Sequence, residues 1–514
     1  MTTIPARRGH RLIFLIVVAV LAAVGIAAVR FQPELERNVK GWLTAGIALF
    51  AALLGLVWFF FLSRIHWKVR LLAGILLVFF GFEATKLVRV DGAVDGTGLP
   101  QFAWRWRTAP SAKLSTIVPL LPPTAPPADL ADAPGFFGPH RDGIVTGAKL
   151  ATDWTATPPK ELWRQPIGAG WSAFAIVGGR AFTQEQRGED EVVTSYDLRT
   201  GHLLWLHADR ARFFQWQGGE GPRATPTVDG GRVFTCGATG ILQCLDAGTG
   251  KPIWSRNILT ENKLENLTWG VSCSPLVFDD KVVVTTGNGA GPTVLAFHRD
   301  TGEPLWRAGT EQASYASPIL ATLAGRRLIL SNNATSLTAH DPATGDVVLN
   351  FPWTDSKMPK ASQPVVLPGD RVFLSAGYGM GCLAIKVEAA PDGRLTATQL
   401  WKGNRMKTQF NSAALRGEYL YGLDDGLLAC VSISDGQRVW KDGRYGSGQT
   451  LLVDDLILIQ SEPGPVVLAA ASPDGFRELG RIPALSSKTW NHPTLAGRYL
   501  LVRNDREAVC YELP

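Results

Sequence analysis

Apolar and polar positions follow three different rhythms along this chain. Residues 12–29 and 42–62 carry no charged side chain, and each run is long enough to cross a hydrocarbon core about 30 Å thick. A third apolar run, Leu71–Phe82, is short by itself. It reaches spanning length only over residues 67–86, with Lys68 and Arg70 extending toward the interface. Residues 108–134 ("TAPSAKLSTIVPLLPPTAPPADLADAP") are too rich in Pro and Ala to build a core and read as a semi-extended spacer. From Gly135 onward the texture changes to short β-rich runs punctuated by Gly and Asp, with no helical period. The expected organisation is a membrane anchor over 1–90, a linker over 91–134 and one large β domain over 135–514.

Within that domain the same parts return. "ATPTVDGGRVFTCGATGILQCLDAGTGKPIW" is four short strands joined by three tight turns. "SPLVFDDKVVVTTGNGAGPTVLAFHRDTGEPLW" repeats the order. Repeats start near Ser172, Thr225, Ser274, Ser317, Gln363, Ser412, Gln449 and His492. A four-stranded meander cannot bury its own faces, so the repeats must stack around an axis. The expected fold is all-β: an eight-bladed β-propeller of four-stranded antiparallel blades, preceded by two to three transmembrane helices. The last repeat ends after three strands at "REAVCYELP", and "ELWRQP" at 161–166 is expected to supply the fourth and remove the open edge. Where the lettering is clearest, Asp caps a turn, Gly supplies a positive φ and the strand-four Trp offers a flat face to the neighbouring blade.

Charge fixes the orientation and removes one class of function. Arg7, Arg8 and Arg11 precede the first span, and Arg64, Lys68 and Arg70 lie between the second and third. The positive-inside rule puts the N-terminus in the cytoplasm, so with three spans everything after about Val88 emerges outside it. Residues 1–107 hold 13 Lys and Arg against 5 Asp and Glu, which leaves 38 against 40 for the remainder. The large domain is therefore not a nucleic-acid binder by charge, despite the basic pI.

The signature Asp-x-x-Thr-Gly-x-x-x-Trp at Asp197–Trp205 and Asp246–Trp254, in eight blades, resembles the PQQ-binding-like β-propeller repeat family. The lead-in "FFGPHRDGI", residues 136–144, is similar to an element found ahead of the propeller in one bacterial branch of it. The resemblance implies either of two roles. One is a quinoprotein dehydrogenase that oxidises a sugar or alcohol and passes electrons to a membrane quinone. The other is a non-enzymatic envelope module similar to the BamB lipoprotein. The vicinal Cys-Cys pair common among the enzymes is missing here, and so is the N-terminal acylated Cys of the lipoproteins, since the first cysteine is Cys236. Cys244, Cys382, Cys430 and Cys510 fall on third strands, where small buried residues pack between blades, so they read as core rather than as disulfides.

Other chemistry is sparse. The run "GNGAGP" at 287–292 and the pairs Asp279-Asp280, Asp424-Asp425 and Asp454-Asp455 sit at hairpin turns, where such residues serve the backbone. "RGEDE" at 187–191 offers Glu189, Asp190 and Glu191 to a cation but reads as a solvated turn. One pattern stands above this. Trp171, Trp216, Arg223, Trp269, Tyr315, Phe410, Asn411, Trp490 and His492 all enter inner strands and should converge on one face. Such a funnel suits a planar anionic ligand of PQQ type. The blander account, rings that cap the blade ends, is preferred because Trp is the packing residue of this repeat.

The expectation is thus a protein of the bacterial inner membrane whose propeller faces the periplasm as a binding or assembly module. It would hold no resident cofactor or metal, and an envelope protein or a small planar ligand would be its partner. PQQ with Ca²⁺ belongs to the dehydrogenase alternative.

Overall fold

The apolar N-terminal runs are helical in the computed structural model, which describes residues 9–107, 114 and 122–514. Arg7, Arg8 and residues 108–113 and 115–121 of the Pro/Ala spacer lie outside the described residues. The chain divides into two compact units, Met1–Thr108 and Ala109–Pro514.

In the first unit, α1 (Gly9–Phe31) is followed by α2 (Arg37–Val57), which runs on through a π-helical turn, Trp58–Leu62. Leu12–Phe31 and Arg37–Leu62 are long and apolar enough to cross a membrane. Helix α3 (Trp67–Leu87) forms where the third run predicts it. It exposes Leu72, Leu77, Val78, Phe80 and Phe82, which lie all round its surface, so no single face of it is packed. The start of α3 and the turn that follows its end are each tied to α2. Arg70 Nη1 donates to the Phe60 carbonyl at 2.6 Å, and Arg37 pairs with Asp95, just beyond α3, at 2.8 Å. The chain therefore leaves α3 on the side where it entered α2. The expected boundary at residue 90 falls inside a hairpin of β1 (Val88–Ala93) and β2 (Pro100–Trp104), because alternating Val, Phe and Trp pair as strands before the Pro-rich stretch begins.

The second unit is an eight-bladed propeller of antiparallel sheets. Each repeat supplies one blade, innermost strand first. The eighth is completed by β4 (Lys160–Pro166), which pairs with Glu507–Glu512 and sets Trp163 opposite Cys510. Fully buried Arg503 reinforces this closure between blades 8 and 1. It donates to the Gly168 carbonyl at 2.7 Å and to the Gln184 carbonyl at 3.0 Å. Blade 7 has a fifth strand that the repeat does not announce: β3 (Ile144–Val145) from the lead-in, parallel to Leu452 and Val453.

Why the repeat needs both Gly and Trp becomes clear between blades. The indole N–H of each strand-four Trp donates to a turn carbonyl of the next blade: Trp163 to Leu198 at 2.8 Å, Trp205 to Ala247 at 2.9 Å, Trp254 to Arg299 at 2.9 Å and Trp440 to Ser472 at 2.9 Å. The ring lies flat on the turn glycine. A Cβ on Gly201 would sit 2.7 Å from Trp163, and one on Gly250 2.5 Å from Trp205. Gly is thus demanded twice, by positive φ and by the indole. The Asp holds the turn, as Asp246 Oδ1 accepts from Thr249 N at 2.8 Å and from its hydroxyl at 2.7 Å. Blade 7 carries Gly480 in the Trp position, opposite Leu468. Buried Trp154, ahead of the propeller, packs on it, 2.8 Å from where a Cβ would stand.

All six cysteines are buried free thiols. Cys244, Cys430 and Cys510 sit directly opposite a strand-four Trp, whereas Cys382 is opposite Gly403.

Residues 122–134 are not a bare spacer. Thr124 N and Oγ1 donate to Asp197 at 2.6 and 2.7 Å, Gly178 N donates to Asp132 at 3.0 Å, and Ala133 bridges to Ile176. The strand-joining turns have polar groups left over for these bonds, so the C-terminal end of the expected linker is part of the propeller.

Candidate functional site

The residues that begin the repeats form a ring about the axis. Ala173 N donates to Thr225 Oγ1 at 3.0 Å, Thr225 N to Ser274 Oγ at 2.9 Å, Ser274 N to Ser317 Oγ at 2.9 Å, and Gln363 N to Ser412 Oγ at 3.0 Å. Gln449 Nε2 reaches the Trp490 carbonyl at 2.9 Å, and Asn491 Nδ2 returns to the Ser172 carbonyl at 2.8 Å. The Ser and Thr hydroxyls thus accept from a backbone N–H of the preceding inner segment, and the Gln449 and Asn491 amides donate to a carbonyl of the following one, so each satisfies a backbone group of an adjacent blade.

One end of the axis is closed by the lead-in. Residues 133–145 cross from blades 1 and 2, where Val228 N donates to the Pro134 carbonyl at 2.7 Å, to blade 7, where Leu452 N donates to the Gly143 carbonyl at 2.8 Å. Midway, Arg141 adopts φ 61° and donates to the carbonyls of Ser274, Pro275 and Pro318 at 2.9, 3.0 and 3.2 Å. Burial lowers its pKa to about 10, so it stays charged near neutrality. Gly143 cannot bear a side chain, since a Cβ would stand 2.4 Å from the Phe137 ring.

His492 belongs to this closed end and not to the funnel where the sequence places it. Its ring meets Phe136 and Phe137 edge-on, each at 5.1 Å, and neither nitrogen has a partner. Burial holds its pKa down to about 3. The reason is register: His492 occupies a ring position, whereas the funnel residues precede that position. Asn411 is likewise turned inward, donating from Nδ2 to the Leu423 carbonyl at 3.1 Å.

The other seven predicted residues do meet at the opposite end. Trp171 and Trp490 stand 4.7 Å apart, with Phe410 5.3 Å from Trp490. Trp269 and Tyr315 pack edge-on at 5.6 Å. Trp216 lies in a small hairpin, Phe214–Gln215 against Gly219–Glu220, and is exposed along with Phe214. Arg223 supports that hairpin from below, donating to the carbonyls of Gly221 and Gly219 with its guanidinium 4.6 Å over Phe213. Burial brings its pKa to about 10.

Sequence reasoning missed three groups here. Lys488 Nζ hovers 4.5 Å from the Trp490 ring and 5.4 Å from that of Trp171; its place two residues before Trp490 was the available signal. Glu462 accepts the Trp490 indole N–H at 2.8 Å. Glu191 is no part of a solvated turn, because its strand carries it inward to accept from Ala238 N at 3.1 Å. Burial pushes its pKa up to about 7. Arg187, from the same run, is also buried and pairs with Glu185 at 3.0 Å.

A planar quinone does not fit this arrangement as it stands. The hairpin wedges Gly218 between the rings: its carbonyl accepts the Trp171 indole N–H, and a Cβ on it would be 3.0 Å from Trp269 and 3.1 Å from Arg223. Among the described residues no group of three or more His, Cys, Asp or Glu could hold a metal ion.

Comparison with known proteins agrees with the repeat. Residues 189–442 match the family described as outer membrane protein assembly factor BamB. BamB from Burkholderia pseudomallei (strain K96243) is 23% identical over 287 residues, 54% of this chain and 70% of that protein. A quinohemoprotein alcohol dehydrogenase of Pseudomonas putida is 26% identical over 225 residues, 38% of this chain and 30% of that protein. The crystal structure of BamB from Moraxella catarrhalis shares the fold, with a TM-score of 0.50 at 15% identity over 69% of this chain and 100% of that one.

Proposed function

We propose that this chain, a BamB-like propeller of PQQ-type repeats preceded by apolar helices, is an inner-membrane protein whose propeller works outside the cytoplasm as a non-catalytic binding or assembly module. The observation that carries this reading is the state of the aromatic end of the axis. The indole N–H groups of Trp171 and Trp490 and the guanidinium of Arg223 are engaged within the protein, and a bonded hairpin lies against both Trp171 and Trp269, where a stacked cofactor would lie. What remains for a partner is the outer side of that hairpin, with exposed Phe214 and Trp216. An aromatic tip on a bonded scaffold suits an envelope protein surface.

The proposed location is supported by the basic residues together with the ties from α2 to the start of α3 and to the turn after it. If α2 crosses the bilayer, α3 carries the chain back across it, so a basic cytoplasmic N-terminus leaves the propeller on the far side. An alkaline phosphatase fusion after Gly143 should be active, and a fluorescent protein that matures only in the cytoplasm should stay dark at the same site.

Titration of the full chain with PQQ and Ca²⁺ tests the role. The expected result is no saturable binding, an unchanged melting temperature and no dye reduction with glucose or ethanol. Saturable binding accompanied by turnover, both lost in Trp269→Ala and Arg223→Ala, would replace this reading with a quinoprotein dehydrogenase.

A further inference from the structure

The hairpin that follows α3 has two unlike faces. β1 and β2 pair with Val88 opposite Trp104 and Val90 opposite Phe102. Side chains alternate across a strand, so Val88, Val90, Phe102 and Trp104 share one face, and Trp106, in the turn after β2, joins it by stacking on Trp104. Arg89, Ala103 and Arg105 share the other. The first face is uncovered: Phe102 is 65% exposed, Trp104 49% and Trp106 65%. Trp104 and Trp106 stack on each other at 4.7 Å with 14° between their planes. On the second face Arg89 pairs with Asp91 at 3.3 Å, and Arg105 Nε donates to the Val88 carbonyl at 3.2 Å.

Such a hairpin is poorly placed to stand in water. Two strands alone are marginal there, and a sheet needs a covered apolar face to persist. Among the described residues no further strand joins this hairpin. The hairpin is also held in a fixed place. It begins at Val88, the residue after α3 ends, and its turn is fastened to the start of α2 by Arg37 and Asp95 at 2.8 Å. It therefore stands where the apolar helices end. Rings with an apolar body, close to guanidinium groups, are the composition of the boundary between acyl chains and headgroups. Arginine at that depth suits lipid phosphates.

We propose that the β1–β2 hairpin is an interfacial lipid-binding element, seated with Phe102, Trp104 and Trp106 in the acyl–headgroup boundary and its arginine face toward the phosphates. The occupant of the aromatic face is the phospholipid interface. This rests on the membrane reading above. It adds that the chain emerges from the bilayer through a rigid collar instead of passing directly into the Pro/Ala stretch.

Site-directed spin labels on the full chain in phospholipid nanodiscs test it. The native cysteines are all buried, so labels introduced at Phe102→Cys, Ala103→Cys and Ile75→Cys report their own surroundings. The seated hairpin predicts a Phe102→Cys label collided with by oxygen more than by a water-soluble nickel chelate, and the opposite preference at Ala103→Cys. Phe102→Cys as open to nickel as Ala103→Cys would overturn the proposal, because the hairpin would then stand in water. Protection of Phe102→Cys from both reagents would also overturn it, because protein would then cover the face. Ile75→Cys in α3 separates the two levels of inference. If it prefers oxygen while Phe102→Cys does not, only the collar is lost; if it too prefers nickel, the membrane reading falls.

Discussion

Arg141 and Arg223 guard opposite ends of one axis. Both are desolvated enough to bring their pKa to about 10, and both donate only to backbone carbonyls and to no carboxylate. Their reach is what differs. Arg141 binds carbonyls 133, 134 and 177 residues away, on blades 3 and 4, whereas Arg223 binds carbonyls two and four residues away in its own loop. The same chemistry therefore clasps the ring at one end and shapes a local hairpin at the other. Global stability should reside in the first end and adaptability in the second, which is where a partner-facing surface can afford to sit.

Arg141→Ala is the severest test of that contrast. It leaves three buried carbonyls short of a charged donor and frees the lead-in, so urea unfolding should show a loss of about 3–5 kcal/mol. Trp154→Ala should cost about 3 kcal/mol by opening a cavity on Gly480 at the same end of the chain. A loss under 1 kcal/mol in either would dissolve the distinction. Next come two titrations of opposite sign. Glu191 has its pKa raised from 4.5 to about 7, so its neutral form is favoured by folding and stability falls as pH rises through that window. His492 has its pKa lowered from 6.5 to about 3, so stability falls as pH drops through that one. Glu191→Gln should flatten the first slope and His492→Leu the second, each by roughly 1–3 kcal/mol, read from denaturation midpoints between pH 4 and 8. The smallest effects belong to the aromatic end. Arg223→Ala should cost about 1 kcal/mol, and Trp216→Ser, at an exposed tip, less than about 0.5 kcal/mol. A large loss at Arg223 would mean that the hairpin, too, holds the ring.

The blades were legible because the clearest repeats carry their own turn chemistry, with Asp, Gly and Trp within nine residues at Asp197–Trp205 and Asp246–Trp254, and "ELWRQP" bears the Trp that the last repeat lacks. The helices were legible from length and charge alone. What sequence could not reveal was contact made over long separations. Nothing local marks Trp154 as the indole for Gly480, or Arg141 as the donor to Ser274 and Pro318. The funnel was half legible. Its residues were found by their position ahead of the inner strands, but His492 sits two residues beyond Trp490, where the chain has already passed from the aromatic end to the rings of Phe136 and Phe137. Glu191 was hidden in an acidic run at a turn, since a strand's alternation can bury one member of such a run beside exposed ones.

The seam of the eighth blade sets a clock on biogenesis. Tyr511 donates its hydroxyl to Glu161 across a separation of 350 residues, so β4 is among the first parts of the propeller to be made and its partner is the last. At ordinary translation rates of about 5–20 residues per second, that strand waits roughly 20–70 s with no neighbour. Lys160, Glu161, Arg164 and Pro166 lie along it, the residue types that discourage a stray strand from pairing with an open edge. The charges that brace the finished seam, with Arg164 bonded to Glu161 at 2.8 Å and to Glu507 at 3.0 Å, thus also protect the unfinished one while the rest of the ring is being synthesised.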